Sequence, residues 1–152
     1  MSPEGWSALF AGAATSVAAY QVWSGRADAR RQAAFTHIRE VEARLQRVWH
    51  ISVKDARRDI LSFYQGEAES LSDRGADYMA YLSALDLLLF ASQTKSAEPA
   101  VIATWLRGTL RRDDELLQFV SDMQQACGDP SCYEYVWQHL NRVRRAGVSR
   151  TQ

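Results

Sequence analysis

The hydrophobic pattern divides the chain into one long uncharged run and a series of helical stripes. Residues 6–23, WSALFAGAATSVAAYQVW, carry no charge, and Arg26, Arg30 and Arg31 follow at once. As a helix this run is about 27 Å long at 1.5 Å per residue, close to the roughly 30 Å hydrocarbon core of a bilayer. Trp6 at one end and Tyr20 with Trp23 at the other stand where an interfacial aromatic belt belongs. Leu9, Phe10, Val17 and Val22 supply most of the apolar transfer energy, while Ser7, Thr15, Ser16 and Gln21 oppose it. The expectation is a marginal transmembrane anchor built on Trp6, Leu9, Phe10, Val17, Tyr20, Val22 and Trp23. Ala8, Gly12 and Ser16 recur every four residues and form a small-residue face where a second helix can approach closely.

Three other readings compete for this segment. A cleaved signal peptide is disfavoured, because Glu4 and no Lys or Arg precede the apolar run. An in-plane amphipathic helix lacks a charged face to lie among headgroups. A helix buried between subunits of an oligomer stays open. If the segment spans, the juxtamembrane arginines Arg26, Arg30 and Arg31 place the body of the protein in the cytoplasm. The expected location is then a bacterial inner membrane, with the N-terminus outside.

Beyond Ser24 and Gly25 the period is helical throughout, and no stretch alternates with strand period over a useful length. Ala34, Ile38, Val41, Leu45 and Val48 recur at four, three, four and three residues, with Ala27 one heptad earlier and Arg31 interrupting. That seam suits either self-association or packing on the chain's own domain. A second helix is predicted over residues 53–65 with Gly66 as its C-terminal cap, followed by an acidic loop over 67–76. The strongest core element is predicted over 78–91, with Asp86 inside its most apolar part, exposed at an edge or paired with Arg107 or Arg111. Pro99 marks another helix start, and the chain is expected to turn near residues 111–114. A further helix ends at Gly128, and Ser131 with Glu134 fits a capping box for the last one. Trp49, Trp105 and Trp137 are expected to anchor the core. The fold class is therefore all-α: an N-terminal membrane-spanning helix continuing into a long helix, packed with about four or five further helices. The organisation is 1–24 apolar helix, 25–147 bundle and 148–152 tail.

Charge is balanced overall but unevenly placed. Residues 24–58 hold nine basic and four acidic side chains, whereas 59–100 hold two basic and seven acidic. The basic block adjoins the proposed bilayer surface, where it suits anionic headgroups. No nucleic-acid motif accompanies it, so no nucleic-acid partner is expected.

Catalytic and metal-binding strings are missing. No glycine-rich phosphate loop, His-Glu-x-x-His or nucleophile-elbow motif occurs. His37 and Glu40 share a helix face, but a di-iron bundle needs paired Glu-x-x-His motifs and further glutamates. Cys127, Cys132 and His139 make a poor zinc string, and the two cysteines read as structural thiols at a helix junction. No catalytic residue, cofactor or metal is assigned, and an enzyme is not expected.

With RADARRQAAF after the anchor, YLSALDLLLFA in the core and Trp105-Leu106-Arg107 after a proline helix start, the chain resembles small bacterial and phage proteins. These combine one N-terminal membrane helix with a cytoplasmic helical domain of unknown function. The resemblance implies an architecture and no catalytic residues. The functional expectation is an anchored interaction protein that binds lipid bilayer and a protein partner or itself, with a phage- or defence-related membrane complex as the setting the resemblance implies. The alternatives are a soluble helical oligomer and a membrane-perturbing effector.

Overall fold

In a computed structural model the protein is described over residues 3–110 and 113–148, with side chains described for 20–110 and 113–146. Six helices follow in order: α1 (Pro3–Val48), α2 (Val53–Tyr64), α3 (Asp73–Gln93), α4 (Pro99–Thr109), α5 (Asp114–Cys127) and α6 (Glu134–Val148). The described residues form no strand. The protein is an all-α bundle. Among the described residues, no helix is long and apolar enough to cross a membrane.

The first helix passes through Ser24 and Gly25 unbroken, so residues 6–23 and the stripe beyond them share one 46-residue element. That length corresponds to about 69 Å. Among the described side chains its buried positions lie in the second half: Ala34, Ile38, Val41 and Val48 are buried, and Leu45 is partly buried. They lie against α3 and α4. The seam that suited a second copy is thus closed within the chain, because the heptad stripe matches the apolar face of α3.

The remaining core is drawn from every other helix. Leu82, Leu85 and Leu88 of α3 meet Ile60 of α2, Ile102 of α4, Phe119, Val120 and Met123 of α5, and Val136 of α6. Chain direction follows from three contacts. Trp105 Nε1–H donates to Glu42 at 2.9 Å, and Glu98 N–H donates to the Arg30 carbonyl at 3.0 Å. α4 therefore runs with α1, and the C-terminal end of α3 lies near Arg30. Gln93 meets Gln138, so α6 runs with α3 and its C-terminus projects past the same end.

Helix ends show where local sequence and tertiary need agree. Ser52 and Asp113 accept from the N–H groups of Asp55 and Leu116, as good N-caps do. Gly128 takes the left-handed cap of α5 at φ 66°. The expected loop over 67–76 is shorter than predicted, because α3 begins at Asp73 behind the N-cap Ser72. Gly75 sits in that first turn for a steric reason: a Cβ there would lie 2.9 Å from Leu71 Cδ1 and 3.2 Å from Ile60 Cγ1. Its absence lets α2 approach.

Asp59 ties these two helices together. It accepts from Ser72 Oγ at 2.8 Å and from two Arg74 nitrogens, each at 2.9 Å. The Ser72 hydroxyl and the Arg74 guanidinium hold its carboxyl below the ordinary value of 3.8. A depressed carboxylate stabilises the fold above that value, and the contribution is lost as the pH falls through the folded-state pKa. Asp59→Ala is expected to cost about 1–2 kcal/mol at pH 7. Urea melts should show the gap between wild type and variant narrowing as the pH falls below 3.8. A constant gap would mean the ionic form is irrelevant.

Two further expectations are corrected. Trp49 does not anchor the core; it stands in the turn after α1, 77% exposed. Trp105 and Trp137 are partly buried against the core. The capping box also fails to form: Ser131 instead closes a turn on Asp129, at 2.8 Å for its N–H and 2.7 Å for its hydroxyl. Glu134 accepts from Gln138.

Candidate interaction surface

The cap that Ser131 does not supply comes from Asp86. Its Oδ1 accepts from Val136 N–H at 3.0 Å, and the backbone of Tyr135 also donates to it. Those N–H groups belong to the first turn of α6, which has no intrahelical acceptor for them. Asp86 is therefore neither paired with Arg107 nor left at an open edge. Burial raises its pKa, and the two backbone donors oppose that rise. Arg107 instead reaches Thr104, and Arg111 lies outside the described residues.

Beside this contact, α3, α4 and α6 enclose a cleft of about 750 Å³. Leu89, Leu106 and Tyr135 form its apolar wall, while Arg107, His139 and Arg142 supply cationic or polar groups. Burial lowers the His139 pKa, and Arg142 lowers it further. Among the described residues, no carboxylate lines the cleft beside His139.

A second depression, of about 680 Å³, runs between α1 and α4 and is bordered by Phe35, Ile38, Arg39, Glu42, Val101 and Trp105. The Trp105–Glu42 hydrogen bond fixes one wall. Phe35 remains half exposed at its rim.

The chemistry-bearing residues stay dispersed. Glu40 pairs with Arg44 at 2.8 Å rather than with His37. Cys127 and Cys132 are free thiols with sulfurs 3.7 Å apart. Burial, first of all, pushes Cys132 up to about 12, which leaves it protonated and a poor nucleophile at neutral pH. Among the described residues, no group of three or more His, Cys, Asp or Glu gathers as a metal site.

Among the described residues, the most conspicuous exposed apolar surface is the stretch of α1 from Tyr20 to Trp23. Tyr20, Val22 and Trp23 are exposed by 66%, 57% and 64%. The Tyr20 and Trp23 rings lie tilted to each other, with centroids 6.3 Å apart. Arg26 and Arg31 are exposed just beyond them, and Arg31 pairs weakly with Asp28 at 3.7 Å. The side chains of Trp6, Leu9, Phe10 and Val17, and the small-residue face Ala8, Gly12 and Ser16, lie outside the described residues. Two features escaped the sequence: the Asp86 cap and the alignment of the α6 C-terminus with the end of α3. Both join segments about fifty residues apart, and no local spacing signals them. Comparison with protein families, with curated proteins and with solved structures returns no match to this chain.

Proposed function

We propose that this protein is a non-enzymatic interaction module held at a membrane by the first half of α1, with the bundle on the basic, cytoplasmic side. The observation that carries the reading is the exposed Tyr20–Val22–Trp23 arm, which leaves the bundle on an uninterrupted helix and is followed directly by arginines. An apolar arm of this kind needs a burial partner. Its uncharged continuation over residues 6–23, and the aromatic-then-arginine order, suit lipid and its interface. The span is weakly apolar, so a companion helix on the Ala8, Gly12 and Ser16 face would complete it. Tethering raises the effective concentration of the bundle towards partners at the same surface.

A second reading buries the same arm between copies of the chain. The observation favouring it is that no described helix reaches the apolarity of a membrane span. Expression of the full chain and of a version lacking residues 2–24 separates the two. The anchored reading expects the full chain to stay with membranes through an alkaline wash and to dissolve in detergent, while the shortened chain is released. A full chain that washes off and elutes as an oligomer overturns it.

A further inference from the structure

The topology gathers basic side chains from three separate segments at the end of the bundle where α1 departs. Arg26, Arg30 and Arg31 follow Trp23 within about 12 Å along the helix. Arg30 is at the level of the bundle's edge, since its carbonyl accepts from Glu98 N–H. Lys95 lies in the adjoining α3–α4 turn and is exposed. It holds a φ of 58°, a left-handed position that glycine usually takes after a helix. From α6, Arg142 and Arg144 are exposed. Gln138 is level with Gln93, the last residue of α3, so these two arginines reach about 6–9 Å beyond it. Asp28 and Glu98 share this end but are outnumbered.

The opposite end is mixed, with acidic groups set beside the cations of α2 and the start of α3. Asp73 and Asp77 occupy the first turns of α3, and Asp113 to Glu115 open α5, with Lys54 paired to Glu115 at 3.4 Å. The two ends therefore differ in pairing: at the far end the acids are matched by neighbouring cations such as Lys54, Arg57 and Arg74, whereas at the arm end cations outnumber acids. Composition alone locates a basic block in residues 24–58; the fold adds Lys95 and the α6 arginines from the other half of the chain.

We infer that this end of the bundle is a docking face for an anionic lipid surface, on which Lys95, Arg142 and Arg144 act together with Arg26, Arg30 and Arg31. The inference rests on the membrane reading above, which sets this end towards the headgroups. Three sites spread around the bundle end, rather than one string, hold it upright against the bilayer. The attraction is confined to about one Debye length, roughly 10 Å at 0.1 M salt, which matches the reach of these side chains.

The test uses the full chain with phosphatidylcholine vesicles and with vesicles containing one-third phosphatidylglycerol, combining flotation with amide exchange over residues 140–146. Exchange there should slow several-fold on the anionic vesicles at low salt. The slowing should vanish in about 0.5 M salt and in Lys95→Gln/Arg142→Gln/Arg144→Gln, whose helical circular dichroism is compared with wild type. Each neutralised residue is expected to weaken the surface attraction about fivefold. Equal exchange on both vesicle types with the chain retained overturns the docking face while leaving the anchor. Flotation only with anionic vesicles, reversed by salt, overturns the anchor while upholding the face. Flotation with neither overturns both, and capture of an RNA or an acidic protein by the same arginines would then be the competing explanation.

Discussion

Replacing Phe119 with alanine is expected to lower the unfolding free energy by about 3–5 kcal/mol, the largest single-residue effect in the bundle. Phe119 is fully buried and packs at a tilt against Tyr78, with ring centroids 5.7 Å apart. Tyr78 in turn meets Tyr81 edge on, at 5.8 Å. Burial pushes both hydroxyls upward, Tyr81 to about 12, so neither ring can retreat as a phenolate near neutral pH. Truncation at Phe119 removes the α5 ring that packs on Tyr78 of α3 and leaves a void lined by rings whose helices are fixed elsewhere. Such a void relaxes only in part, which is why the cost exceeds the transfer term alone. Denaturant melts should show the midpoint falling with little change in slope. A loss below about 1 kcal/mol would mean that the aromatic cluster refills the space and is not the rigid centre described here.

The second large effect lies at Asp86. Asp86→Ala is expected to cost about 1–3 kcal/mol, because it strands the N–H groups of Tyr135 and Val136 at a helix start. Asp86→Asn keeps an acceptor oxygen and should cost much less. The two substitutions also separate charge from geometry. Burial raises the folded-state pKa of this carboxyl above 3.8, despite its backbone donors. Ionisation therefore opposes folding at neutral pH, and the penalty shrinks as the pH falls through the folded-state pKa. Relative to wild type, Asp86→Asn should look best at pH 7 and lose that advantage near pH 4. This is the reverse of the trend expected for Asp59→Ala. Equal losses for the alanine and asparagine variants at all pH values would show that Asp86 does not cap α6.

These two carboxylates mark the limit of what could be learned from sequence. The stripes of α2, α3 and α5 obey local rules, so their positions follow from period, caps and turns, whereas the Asp59 contact crosses from α2 to the start of α3 and has no local signal. The seam of α1 was also visible, yet its period is equally good for a second copy and for α3; only the fold decides that it faces inward. Asp86 looked anomalous for the right reason, a charge in an apolar run, but its partner was a backbone fifty residues away rather than an arginine. Trp49 was misplaced because bulk and apolarity cannot tell a core position such as Val48 from the turn position that follows it. The arm of residues 20–29 was legible as apolar and then basic, whereas the α6 arginines joined it only through the direction of two helices.

The unbroken course of α1 has a mechanical consequence. A helix turns about 100° and rises 1.5 Å per residue, and no loop intervenes between the arm and the bundle. Whatever grips the arm therefore also sets the compass bearing of the α3–α4–α6 cleft. Twist or piston displacement at one end is delivered to the other like torque through a rigid shaft, with Gly25, which has no heavy atom within 4 Å of an added Cβ, as its thinnest section.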